Sequence, residues 1–184
     1  VVALKPKNLS FKEAAALPIG GMTALFLLEK ANIKSGQHVL IYGASGSVGS
    51  YAVQIAKSLG AIVTGVCSTP NLEIVKSLGA DEVLDYTQKE YTSLQKEFEI
   101  VFDAVGKTTK SKAKKILIKG GAFVSIKMFT SEKNEPFLKL KTWAEEGKIK
   151  PFIDKTYLLE DIVNAHSYVD KGRKKGNVVI EVLS

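Results

Sequence analysis

The stretch Gln37-His38-Val39-Leu40-Ile41-Tyr42-Gly43-Ala44-Ser45-Gly46-Ser47-Val48-Gly49-Ser50 constrains the fold more than any other part of the chain. Its aliphatic and β-branched run, opened by the turn pair Ser35-Gly36, predicts a buried strand. Val48, Ala52, Ile55, Ala56 and Leu59 recur at helical spacing and predict a helix over residues 47–59. A strand that runs straight into a helix leaves the first backbone N–H groups of that helix unpaired and aims its positive dipole end at the turn. An anion fits there. Gly43, Gly46 and Gly49 are spaced G-x-x-G-x-x-G, so a phosphate can approach Gly46 with no Cβ in the way, and Gly49 lets the helix pack close to the sheet. A second strand over residues 62–67 completes a βαβ unit, the context in which such glycines hold a dinucleotide pyrophosphate. The residues expected to contact it are Gly43, Ser45, Gly46, Ser47, Val48 and Gly49. The simpler alternative is a tight connection whose glycines serve only positive φ. A nucleoside-triphosphate loop is excluded, because no Lys-Ser or Lys-Thr pair follows the glycines.

The rest of the chain repeats the strand-and-helix rhythm. Ser10-Phe11-Lys12-Glu13 has the form of a capping box, predicting a helix over residues 12–16 that breaks near Pro18 and a second over 21–30. Leu72, Val75 and Leu78 mark a helix stopped by Gly79. Strands are expected at 82–86, 98–103 and 122–126, with helices at 88–96 and 107–117 and a turn at Gly120-Gly121. Residues 127–134 read as irregular, Phe137 to Ala144 as an amphipathic helix ended by Gly147, 149–153 as extended, 158–168 as a helix, and 178–182 as a last strand. This order predicts an α/β fold, a doubly wound parallel sheet with helices on both faces. Ligands of such sheets sit at the carboxyl ends of the strands, here residues 43–48, 67–69, 103–106 and 125–126.

Composition narrows the function. The net charge of +7 comes from lysines in separate groups (Lys110 to Lys115, Lys139 with Lys141, Lys171 to Lys175) that lack interleaved aromatics, so a solvated surface is expected and no nucleic-acid face. Two histidines and one cysteine cannot build a conventional zinc site without distant carboxylates, and no metal is expected. The longest apolar stretch, residues 14–28, is interrupted by Pro18, Gly20 and Gly21 and is short for a bilayer. With no basic leader and a single cysteine, the expected setting is cytoplasmic and reducing, without membrane anchorage. His38 and His166 read as structural, Cys67 as a strand-end core residue, and no general acid is nominated.

The end of the second strand sets the coenzyme. An acid there pairs with the ribose hydroxyls of NADH and repels the extra phosphate of NADPH. The sequence Val66-Cys67-Ser68-Thr69-Pro70-Asn71 contains none, while Ser68, Thr69 and Asn71 can donate to a phosphate and Lys76 is nearby in sequence. That favours NADPH over NADH, the alternative being ordinary turn residues around Pro70.

Several segments together resemble the medium-chain dehydrogenase/reductase superfamily, in its zinc-independent quinone oxidoreductase branch. They are Ala14-Ala15-Ala16-Leu17-Pro18 with Gly21-Met22-Thr23-Ala24, the glycine turn itself, Leu78-Gly79-Ala80-Asp81, Asp103-Ala104-Val105-Gly106, Gly147-Lys148-Ile149-Lys150-Pro151 and Gly176-Asn177-Val178-Val179-Ile180. The resemblance implies a Rossmann-type fold. It further implies that Ser68, Thr69 and Tyr86 lie near the adenosine end of the coenzyme, and Thr23, Val105, Ser125 and Ile126 near the nicotinamide. The domain division it implies is lead-in and linker helices at 1–33, a nucleotide-binding domain at 34–147, and a segment at 148–184 returning toward a substrate domain of which this sequence holds almost nothing. Two departures stand out. The stretch after Ile126 is shorter than the family's loop and further strand, and Asn177 stands where many relatives carry lysine. The implied activity is NADPH-dependent reduction of a small-molecule electron acceptor, a quinone or an activated alkene or carbonyl, by a protein that forms a homodimer. Two other readings are a non-catalytic nucleotide-binding sensor module and a zinc-dependent alcohol dehydrogenase.

Overall fold

Strands that are covered on both faces need mostly apolar side chains on both faces, and three runs of this chain meet that need. In the computed structural model, which describes residues 2–128 and 134–182, they form the middle of one parallel sheet. Its strands are β1 (His38–Tyr42), β2 (Ile62–Cys67), β3 (Glu82–Asp85), β4 (Phe98–Asp103) and β5 (Leu117–Ser125), in the order β3-β2-β1-β4-β5. Side chains alternate between two cores. Val39 and Ile41 of β1 enter one with Ile100 and Phe102 of β4, while Leu40 and Val101 enter the other with Val66 and Phe98. The doubly wound α/β architecture expected from the sequence is the one observed.

The larger core is closed by helices α1 (Phe11–Lys30) and α2 (Ser47–Ser58), with α5 (Asn134–Glu145) lying on α1. The capping box is present: Ser10 Oγ accepts from Glu13 N and the Glu13 carboxylate accepts from Ser10 N. The expected break near Pro18 is absent, and α1 runs through it as one helix. Proline in a helix interior costs roughly 3 kcal/mol. Fully burying a leucine returns about 1.5–3 kcal/mol, and α1 buries Leu17, Leu25, Leu27 and Leu28. Continuity therefore wins. By length and composition α1 is also long and apolar enough to cross a bilayer, which the interrupted sequence did not suggest, and its packing into the core accounts for that character. Gly20, read only as an interruption of the apolar stretch, lets α1 touch α2. A Cβ at Gly20 would lie 2.8 Å from Ser47 Oγ and from the ring of the buried Tyr51.

Other elements differ from expectation for local reasons. Residues 88–96 form turns around a three-residue 3-10 turn, Tyr91–Ser93, because only Tyr91 and the half-buried Leu94 reach the core there. The helix expected over 107–117 shrinks to α4 (Lys110–Ala113), capped by Thr109, since β5 begins at Leu117 and takes Gly120 and Gly121 into an irregular strand. Of the stretch read as irregular, residues 129–133 lie outside the described residues. The chain also forms a second, two-stranded parallel sheet from β6 (Ile153–Leu158) and β7 (Asn177–Glu181), joined through α6 (Ile162–Asp170); α3 (Leu72–Ser77) completes the set.

The variant Gly20→Val tests the helix contact. It is expected to lower stability by about 1–3 kcal/mol and Tm by roughly 3–10 °C in thermal unfolding, and an unchanged Tm would show that α1 and α2 do not meet there.

Candidate functional site

The two helix starts in the larger core are built differently. Where α1 has a complete capping box, α2 begins at Gly46 with no side-chain cap and no acid in its first turn. Its first internal backbone bond is Ser50 N to Gly46 O, so the N–H groups of Ser47, Val48 and Gly49 have no partner within the helix. The turn before it is tightly fixed. Gly43 has φ +83°, its N–H and that of Ala44 both donate to Val66 O, and Gly46 N donates to Gly43 O at 3.1 Å.

The glycines have separate roles. A Cβ at Gly49 would fall 2.1 Å from Gly43 O, and one at Gly43 2.5 Å from Val105 Cγ1, so both are needed for packing. At Gly46 the nearest atom to a Cβ is Gly43 O at 3.5 Å. The space beside Gly46 is open, a cradle that a side chain would fill and a phosphate can enter.

Around the turn, the structure brings together part of the expected set. Asn71 Nδ2 donates to Ser45 Oγ (3.0 Å) and Ser68 Oγ (3.2 Å), tying the loop after β1 to the loop after β2, and its own Oδ1 is buried without a partner. Val105 and Ile126 stand 37% exposed at the carboxyl ends of β4 and β5, an apolar wall beside Gly43. Tyr86 is half exposed, its ring 6.2 Å from that of Tyr42. Thr23 lies one turn beyond Gly20 on α1. Ser125 is buried, and its hydroxyl donates to Asp103 Oδ2 at 3.0 Å, which gives it a structural bond. Lys76 sits in the last turn of α3, the end remote from Ser68 and Thr69.

The roles of four residues were not legible in the sequence. Asp103 is fully buried; its carboxylate accepts from the N–H groups of Val105, Gly106, Lys107 and Thr108 and so fixes the loop that carries Val105. An aspartate at a strand end followed by a turn is the signal that could have found it. Gly176 N donates to Ser45 O at 2.8 Å, and Asn177 Oδ1 accepts from Ser47 Oγ at 2.6 Å. Asn177, read only as a missing lysine, thus orients the first residue of α2. The end of β2 carries no acid, but the fold supplies one from β3: Asp85, in register with Cys67, accepts from Thr69 Oγ1.

The remaining candidates are inert. Burial pushes the Cys67 thiol up to about 11, and His38 stands at the opposite end of β1 from the turn. Among the described residues no three His, Cys, Asp or Glu side chains are grouped to hold a metal ion. A groove of about 600 Å³ lined by Gln54, Lys57, Lys148 and Lys150 lies at the other end of α2 from the glycine turn.

An open glycine cradle, an uncapped helix start and an apolar wall at one sheet edge together define a Rossmann-type nucleotide-binding domain. The family model described as zinc-binding dehydrogenase matches residues 47–154, and the chain belongs to that family, within the zinc-independent quinone and alkenal oxidoreductase-like branch of the medium-chain dehydrogenase/reductase superfamily. It is 41% identical over 196 aligned positions to 2-methylene-furan-3-one reductase of Solanum lycopersicum, covering 100% of this chain and 50% of that protein. To the chloroplastic NADPH-dependent alkenal/one oxidoreductase of Arabidopsis thaliana it is 33% identical, covering 98% and 50%. The solved structure of the quinone oxidoreductase from Coxiella burnetii matches with a TM-score of 0.85 at 27% identity, covering 98% of this chain and 64% of that one. The chain spans about half the length of the curated relatives it matches.

Two alanine variants separate packing from binding space. Gly49→Ala is expected to destabilise the fold by about 3 kcal/mol, because its Cβ meets backbone. Gly46→Ala is expected to stay within about 0.5 kcal/mol of the parent in denaturant unfolding. Equal losses in both would refute the division.

Proposed function

We propose that this chain is the coenzyme-binding part of an NADPH-dependent reductase acting on quinones or on activated alkenes and carbonyls. The observation that carries the reading is the set of N–H groups of Ser47, Val48 and Gly49, which have no partner within their own helix, beside the open face of Gly46. These donors suit a pyrophosphate, which the dipole of α2 further favours. Ser45, Ser68, Thr69, Asn71 and Tyr86 would then receive the adenosine end, with Asn71 Nδ2 tying Ser45 to Ser68. Gly43 with the apolar Val105 and Ile126, and Thr23 behind them, would take the nicotinamide end. When bound, NADPH supplies a hydride from the nicotinamide C4 position. The residues of this chain orient and exclude water: Asp103 fixes the Val105 loop, and Asn177 and Gly176 hold the pyrophosphate turn. Their contribution to rate is positioning, which accounts for a large share of such barriers. The names of the tomato and Arabidopsis relatives support the acceptor class.

No metal is assigned to this reading, and stoichiometric zinc in the purified protein would overturn that part of it. The open edge of β5 supports a homodimer formed by pairing of two sheets. Cys67, buried and free, supports a reducing compartment such as the cytosol. The second reading is a non-catalytic NADPH sensor module, because the same helix-start donors would hold the coenzyme whether or not a hydride leaves it.

Calorimetry with NADPH, followed by an assay of quinone-dependent NADPH oxidation, tests both. Saturable binding is expected, with at least about tenfold weaker affinity in Gly46→Ala, the loss anticipated when a close backbone contact to a charged group is blocked. Oxidation dependent on quinone supports the reductase; binding without turnover favours the sensor, or a coenzyme-binding part that needs another part to supply the substrate wall. No heat with NADPH would sink both.

A further inference from the structure

We infer that Asp85 limits the preference of this chain for NADPH over NADH, by holding a negative charge and two inward-turned hydroxyls at the adenosine end of the site. The inference rests on the coenzyme reading above and refines it.

The carboxylate is supplied by sheet pairing. Because β2 and β3 run in parallel with Cys67 opposite Asp85, the end of β3 comes level with the loop that carries Ser68 and Thr69. Asp85 Oδ2 accepts from Thr69 Oγ1, and Oδ1 accepts from Thr87 N (2.9 Å) and Thr87 Oγ1 (2.7 Å). The carboxylate is the strongest acceptor within reach of both hydroxyls, so it draws both protons. The two Oγ1 atoms, 3.1 Å apart, therefore show only lone pairs to an incoming group. Lone pairs accept from a ribose hydroxyl and repel a phosphate. The residue between them, Tyr86, is held by its N–H to Cys67 O at 3.0 Å, so the whole corner is fixed.

Compensating positive charge is not bonded there. Among the described residues, Asp85 is the one charged side chain hydrogen-bonded to Ser68, Thr69, Asn71 or Thr87. The donors left for a ribose phosphate are uncharged: Ser68, the Tyr86 hydroxyl, Gln88 Nε2, which reaches Thr87 Oγ1 at 3.5 Å, and Asn71 Nδ2, which already serves Ser45 and Ser68. The Thr69 hydroxyl, foremost among its partners, keeps the Asp85 carboxyl below its ordinary range, so the charge is present at neutral pH.

The test compares calorimetric Kd values for NADPH and NADH in the parent chain, Asp85→Asn and Thr69→Val. Asp85→Asn is expected to raise the NADPH:NADH affinity ratio about three- to tenfold at low salt, the size of charge repulsion in a water-like dielectric, with a smaller gain at high salt. NADH affinity should stay within about twofold, the range of a lost exposed hydrogen bond. Thr69→Val keeps the carboxylate but removes one of the two lone-pair oxygens, and is expected to raise the ratio by less than Asp85→Asn does. An unchanged ratio in Asp85→Asn, or an equal rise in both variants, would overturn the inference in favour of loop geometry alone. If Asp85→Asn does not fold, Asp85→Ser is read in the same way. Absence of heat with either coenzyme in the parent chain would instead sink the underlying coenzyme reading.

Discussion

The structure depends on three backbone N–H groups that no atom of their own helix can satisfy. Helix α2 starts at Gly46 without a cap, directly after a buried strand, and the chain is shaped to keep that start open and rigid. Gly49 has no room for a Cβ because Gly43 O lies against it, and Gly20 lets α1 press on Ser47 and Tyr51 from the other side. The far end of the sequence contributes as well: Gly176 and Asn177 bond Ser45 O and the Ser47 hydroxyl. An unsatisfied donor costs little while water reaches it and much when buried, so an open turn held by so many contacts is suited to exchanging water for an anion.

A second anchor sets the opposite wall. Asp103, fully buried, gathers four backbone N–H groups and the Ser125 hydroxyl, and thereby fixes the position of Val105 against Gly43. Removing a partner from a buried, fully bonded carboxylate leaves charge or donors unpaired, which is why such a hub behaves as a rigid unit. The site thus consists of a polar half, the glycine turn with Ser68 and Asn71, and an apolar half, Val105 with Ile126. One sheet edge carries both.

Much of this was legible in the sequence because the relevant constraints are local. The runs of β1, β2 and β4 are apolar on both faces, which only a covered parallel strand requires, and Ser10 with Glu13 announces a capped helix within four residues. The glycine turn is likewise decided by neighbours: strand before, helix after. What escaped is set by contacts between distant parts of the chain. Pro18 reads as a break because the burial that outweighs it comes from packing against α2 and α5. Residues 88–96 read as helical from composition, yet only Tyr91 and Leu94 have a core to enter. Asn177 lies 130 residues from Ser47 along the chain, and Asp85 joins Thr69 only through strand register. The missing acid of β2 was a true statement about one strand and an incomplete one about the corner that strand helps to build.

The central claim is that the N–H groups opening α2 hold the diphosphate of NADPH. Amide-resolved NMR titration of the isotope-labelled chain with NADPH reads it directly. The account predicts that the largest shifts fall on the amides of Gly46, Ser47, Val48 and Gly49, with smaller ones at Ser68 and Val105. Largest shifts in the groove lined by Gln54, Lys57, Lys148 and Lys150, with the α2 amides unmoved, would contradict it.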